Sequence, residues 1–169
     1  MRLRYIVVAG LLGAACASGP PLLLGQPIKK EVAILVHVSG AAAHGDQFGG
    51  IGALVDAVSD GLGERGVRSQ IYAADDDHPG TPRIEITVQR WGIGDVTARA
   101  VTNGIVGVPI GSSGSYDVVV KYYRDGDTRP TCTRDFTGSV GGTNYEASAD
   151  EGGSVGRHIL SQALSKTCG

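Results

Sequence analysis

The apolar positions of this chain fall into two rhythms. The run EVAILVHVSG (31–40) is almost continuously apolar and stops at Gly40, the pattern of a strand covered on both faces. In DQFGGIGALVDAVSDGLGERG (46–66), Phe48, Ile51, Leu54, Val55, Val58 and Leu62 recur at three- and four-residue steps. That spacing predicts a single helix, capped by Asp46 at its start and by Gly66 at its end. VRSQIYAA (67–74) reads as a second strand, and strand, helix and strand in this order predict a right-handed crossover between parallel strands.

Beyond residue 80 the period changes to two. In PRIEITVQRW (82–91), Ile84, Ile86 and Val88 point one way and Glu85, Thr87 and Gln89 the other. A turn over Gly92–Asp95 leads into VTARAVT (96–102). YDVVVKYYRDGDTRPTCTRDFTG (116–138) holds two strand-like runs about Asp125-Gly126, a strong hairpin signal. Tyr122 is in phase with Val118 and Val120 and is assigned to the core, whereas Tyr123 faces away. SADEGGSVGRHILSQALSKT (148–167) places Ser148 and Glu151 at capping-box spacing and carries a stripe of Val155, Ile159, Leu160, Ala163 and Leu164. Lys166 suits the negative end of that helix, and Gly152, Gly153 and Gly156 are expected to weaken its first turns. The expected fold is α+β, one mixed sheet of about six strands with two helices on one face.

Composition refines this outline. Glycine supplies 27 of 169 residues, without a collagen period, and falls mainly between apolar runs, as in a fold of short strands and tight turns. A hydrophobic share of 41% is enough for a packed core in a single domain over residues 31–169. The net charge is −2, and 15 lysines and arginines less Arg2 and Arg4 leave 13 basic against 17 acidic residues. With no basic run either, nucleic-acid binding is excluded.

The first residues have the layout of an export signal. Arg2 and Arg4 form a cationic start, Tyr5 to Leu12 an apolar stretch too short to span a membrane, and Gly13 to Ala17 a zone of small residues. Ala14, Ala15 and Cys16 fit the signal of a bacterial lipoprotein, with Gly13 where leucine is usual. On that reading residues 1–15 are a signal peptide, and Cys16 carries the lipid and opens a Pro- and Gly-rich tether (16–30), part of which packs on the domain through Leu22 to Leu24. The alternative is ordinary secretory cleavage after Ala17. Either way three cysteines reduce to two, Cys132 and Cys168. A strand from Cys132 and a helix returning toward Cys168 have matching lengths, ~26 and ~27 Å, so these two are expected to form a disulfide.

Candidate chemistry is sparse. GDQFGGIG (45–52) sits where phosphate loops sit, but lacks the Lys-Ser/Thr of a P-loop and the dinucleotide spacing. DDDHPG (75–80) offers Asp75, Asp76, Asp77 and His78 as hard-metal or zinc ligands, against the simpler reading of a solvated turn. His37, His44 and His158, with Ser39 or Ser59, are the available parts of a hydrolytic triad, yet no nucleophile elbow or metalloprotease pair accompanies them. Trp91, at a strand end, either contacts a partner or caps the rim of the core. No catalytic residue, metal site or cofactor is assigned.

The combination of an N-terminal cysteine, a helix ending in DAVSDGLGERGV (56–67), strands like IEITVQRWGIGD (84–95) and a closing helix GRHILSQALSKT (156–167) resembles small bacterial envelope lipoproteins. Relatives of the curli-secretion lipoprotein and several uncharacterised outer-membrane lipoproteins share this layout. The resemblance covers most of residues 31–167 and implies a periplasm-facing α+β domain for binding or assembly, without catalysis. The expected function is thus a lipid-anchored, non-catalytic module of the outer membrane. Its partners are the membrane, through the lipid, and envelope proteins; the oligomeric state is left open. A soluble exported binding domain and a metal-dependent hydrolase using Asp75–His78 are the alternatives.

Overall fold

The structure is a computed structural model that describes residues 21–46, 49–73, 78, 80–92, 114–140 and 145–165. Among these, the elements run β1 (Leu22–Leu23), β2 (Gln26–Pro27), β3 (Val32–Val38), α1 (Gly40–Gly45), α2 (Gly50–Gly63), β4 (Ser69–Ala73), β5 (Arg83–Trp91), β6 (Gly114–Tyr123), β7 (Cys132–Val140) and α3 (Tyr145–Ala163). The fold is α+β. Strands β3 to β7 form one mixed sheet in the order β4-β3-β5-β6-β7, and β1 and β2 form a separate small hairpin. Strand β3 runs parallel to β4, as the strand–helix–strand order predicts, and also to β5, while β5, β6 and β7 are antiparallel. The strand read at 96–102, and its turn beyond Gly92, lie outside the described residues.

Register lays the inner face out in rows. Ile34, Ile84, Tyr122 and Cys132 form one row, Val36, Ile86, Val120 and Arg134 the next, and Val38, Val88, Val118 and Phe136 a third. Most of these side chains join Leu54, Val58 and Leu62 of α2 and Val155, Ile159 and Leu160 of α3 in a single core, so both long helices cover the same face. Tyr122, fully buried as its phase predicts, donates its hydroxyl to the Ile159 carbonyl at 3.0 Å.

The helix boundaries depart from the sequence reading, and each departure has a local cause. The stretch expected to be one helix from Asp46 is preceded by a short α1, which Ser39 caps by accepting from the Ala42 N–H at 3.1 Å. Asp46 does cap α2, across a gap: its carboxylate accepts from Gly50 N–H at 2.7 Å and Ile51 N–H at 3.2 Å. Gly66, at φ 72°, closes the helix, with its own N–H on the Gly63 carbonyl and the Val67 N–H on Leu62. Helix α3 starts before Ser148, which therefore is no cap. Ser148 is buried inside the helix and accepts from the Trp91 indole N–H at 3.4 Å.

The glycines of α3 serve contact rather than disruption. A Cβ on Gly152 would overlap the Gly50 carbonyl, and one on Gly156 would overlap the Leu54 carbonyl and reach 2.8 Å from the Ala57 Cβ. The backbones of α2 and α3 thus touch along Gly50, Leu54 and Ala57 on one side and Gly152 and Gly156 on the other, and Gly61 receives Leu160. Small residues four apart on facing helices allow this approach.

The part of the proposed tether that is described is folded onto the domain. Leu24 and Gly25, at φ 45° and 81°, make the two-residue turn between β1 and β2, a conformation that costs a leucine about 1–2 kcal/mol. Burial of Leu23 and Leu24 offsets it. The hairpin also caps α3: the Leu24 N–H donates to the Ala163 carbonyl at 2.8 Å, and the Leu24 carbonyl accepts from the Arg124 guanidinium at 2.6 Å.

Candidate functional site

The outer face of the sheet carries the densest set of polar side chains, and they are spent on one another. Arg83 lies opposite Tyr123 and Glu85 opposite Lys121 across β5 and β6. Lys121 donates to Glu85 Oε1 at 2.8 Å, the Tyr123 hydroxyl donates to Oε2 at 2.9 Å, and the Arg83 guanidinium sits 3.6 Å from the centre of the Tyr123 ring. Tyr123 does face away from the core, as its phase predicts, yet this arrangement leaves it only 6% exposed. Burial pushes the Glu85 carboxyl upward, but the hydrogen bonds from Lys121 and Tyr123 and the charges of Lys121 and Arg83 outweigh it and hold the group below its usual range. The bond to Glu85 raises Lys121, and burial together with donation to Glu85 raises Tyr123. All three groups therefore keep their ordinary neutral-pH states more firmly, which fastens β5 to β6 and is opposite to what a general base requires.

Trp91 is not a partner contact. It is 1% exposed, stacked on Tyr116 with ring centres 5.6 Å apart and packed against Gly50. The cause is a β-bulge: pairing with β6 slips between Val88 and Arg90, so Val88 and Trp91 both face inward with Gln89 as the extra residue. Ser39 holds the bulge, donating its hydroxyl to the Gln89 carbonyl at 2.5 Å.

The other singled-out side chains are dispersed. His37 is exposed on the outer side of β3, opposite Thr87, and His44 is exposed in α1. The His158 ring meets Phe136 edge-on at 5.3 Å, and the Ser59 and Ser69 hydroxyls bond each other at 2.9 Å. No serine and histidine of the set come together. The amides a phosphate would use at the start of α2 are already taken by Asp46. Of the acidic loop's candidate ligands only His78 is described, with its ring against Tyr72 at 3.9 Å; Asp75, Asp76 and Asp77 lie outside the described residues. Among the described residues no three potential ligands are grouped as a metal site. Cys132 is buried at the start of β7 and is disulfide-bonded. Cys16 and Cys168 lie outside the described residues.

Two of the surface concavities among the described residues lie beside α3. A groove of about 770 Å³ follows the seam of α2 and α3, lined by Ala53, Ala57, Gly61 and Leu160 with Asp56, Asp60 and Arg157. Its carboxylates and guanidinium are of mixed sign and solvated. A smaller pocket of about 300 Å³ lies between β7 and α3, formed by Arg134, Asp135, Phe136, His158 and Gln162. It differs in being beside an open sheet edge and in holding a guanidinium whose Nε is buried without a hydrogen-bond partner. The sequence gives Arg134 no special mark, because a lone arginine in an alternating strand reads as surface; only the register puts it on the inner face.

Among the described residues no helix is long and apolar enough to cross a membrane. No family model matches the chain, and no curated protein matches it. Among solved structures it is similar to the crystal structure of protein XCC0632 from Xanthomonas campestris, of family DUF330, with a TM-score of 0.47 and 12% identity over 80% of this chain and 81% of that one.

Proposed function

We propose that this chain is a lipid-anchored bacterial cell-envelope lipoprotein whose domain faces the periplasm and binds or helps assemble envelope components, without catalysis of its own. The observation that carries the reading is the disulfide at Cys132, a bond that persists in exported proteins and is rare in the cytosol. It agrees with the export layout of residues 1–17. Tyr122 shares a row with Cys132 and bonds Ile159, which sets the start of β7 beside the last turns of α3. Cys168, shortly after those turns in the sequence, is the proposed partner. That pairing leaves Cys16 for the acyl chains. The inward balance of the Glu85 cluster favours a binding role over an acid–base one.

The intact mass of the mature protein tests this. The expected chain begins at a triacylated Cys16 and contains one disulfide. A chain beginning at Ser18 would replace the anchored reading with a soluble exported one, and a chain retaining residues 1–15 would end the export reading altogether.

A further inference from the structure

Among the described residues one edge of the sheet is unpaired and has chemistry beside it. Among the described residues β7 is hydrogen-bonded to β6 on one side only, over nine paired positions from Gly114↔Val140 to Tyr122↔Cys132 with no register slip. Its other side presents a row of backbone donors and acceptors, the template onto which an extended segment adds. The opposite edge, β4, is five residues long and carries an Ile71 that is 48% exposed; His78, against Tyr72 there, also has a buried ring nitrogen without a partner, but no guanidinium accompanies it.

At β7 something does. Arg134 points to the inner face, opposite Val120, where its row is otherwise apolar. Its Nε–H is buried with no acceptor among the described residues, an unfavourable state that an incoming acceptor would relieve. The same guanidinium lines the pocket shared with Asp135, Phe136, His158 and Gln162, between β7 and α3. Arg134 forms no ion pair among the described residues, although Asp135 is its neighbour in sequence. A guanidinium with a free N–H, an imidazole and an amide around an edge pocket match a carboxylate in charge and hydrogen-bonding capacity.

We propose that β7 is a docking strand for an extended segment of an envelope protein, whose backbone adds to the sheet edge while an aspartate or glutamate side chain enters the pocket and bonds Arg134. This rests on the reading of the domain as an envelope binding module and names its class of partner. Backbone pairing supplies the sequence-independent part of the affinity, and the acid supplies register and selectivity.

The test uses the mature full-length chain and two fluorescently labelled octapeptides of alternating threonine and valine, one with a central aspartate and one with asparagine there. Anisotropy is expected to show the aspartate peptide binding at least tenfold more tightly. Arg134→Gln should abolish the difference while leaving the asparagine peptide's affinity in place, and Asp135→Asn, which removes a competing charge, should strengthen the aspartate peptide about threefold. Hydrogen exchange should locate new protection in β7. Equal affinity for the two peptides, a preference that survives Arg134→Gln, or protection elsewhere overturns the proposal. An inward arginine at an edge also guards against unwanted pairing. If that is its role, Arg134→Gln increases binding of both peptides, and the proposal fails. None of these outcomes bears on the mature N-terminus, so failure here is distinct from failure of the export reading.

Discussion

Gly152 and Gly153 are neighbours in α3, and replacing each with alanine should move stability in opposite directions. Alanine in a helix interior is favoured over glycine by about 1 kcal/mol. At position 153 a new Cβ meets only the end of the flexible Arg157 side chain, at 3.3 Å, so Gly153→Ala should stabilise by roughly 0.5–1 kcal/mol. At position 152 the Cβ overlaps the Gly50 carbonyl, and backbone cannot rotate out of the way as a side chain can. The helices must separate, at an overpacking cost toward ~3 kcal/mol, which leaves a net loss of about 2 kcal/mol after the gain in propensity. Urea unfolding followed by circular dichroism measures both. With a slope of about 1.5–2 kcal/mol/M, the midpoint of Gly152→Ala should fall by ~1 M and that of Gly153→Ala should rise by a few tenths. Gly156→Ala, against the Leu54 carbonyl, should follow Gly152→Ala. If Gly152→Ala matched or exceeded the wild type, the seam of touching backbones would be wrong.

Three further outcomes are expected. Tyr122→Phe removes the buried hydroxyl bond to the Ile159 carbonyl, which keeps its helical donor, and should cost about 1 kcal/mol by the same urea assay. Because the folded state holds Glu85 below its usual range, the unfolded chain binds that proton more readily. The contribution of Glu85 is complete above the unfolded carboxylate value near pH ~4 and is lost as pH falls through the folded value, so the deficit of Glu85→Gln should be largest near neutrality and vanish in acid. Reduction of the Cys132 disulfide, whose proposed partner is Cys168, should lower stability by on the order of 2–4 kcal/mol in a thermal scan with and without reductant.

The strands and the long helices were legible because burial writes a period into the sequence. The alternation of Ile84, Ile86 and Val88 places β5 correctly, and Leu54, Val58 and Leu62 mark the covered side of α2. Legibility failed where geometry overrides the period. Strict alternation would turn Trp91 outward, and one extra residue at Gln89 turns it in. Ser148 has the spacing of a cap, but a helix that begins earlier makes it a buried acceptor. The glycines of α3 looked like a weakness when only propensity was weighed. Their four-residue spacing, shared with Ala53, Ala57 and Gly61, was the available signal of close helix contact. Arg134 had no such signal, since its importance comes from register with β6 and from an edge that no local pattern encodes.

The helix seam also governs when this protein can exist as a folded object. It joins residues near Gly50 to residues near Gly152, and the β1–β2 hairpin closes on Ala163. Almost the whole chain must therefore be present before the inner face of the sheet is covered, and contacts this distant in sequence form slowly. A chain emerging from the ribosome lacks its lid until the last helix is made. For a protein proposed to leave the cytosol, that delay is useful: its own topology keeps the domain unfinished, and hence open to export machinery and chaperones, until α3 has been made.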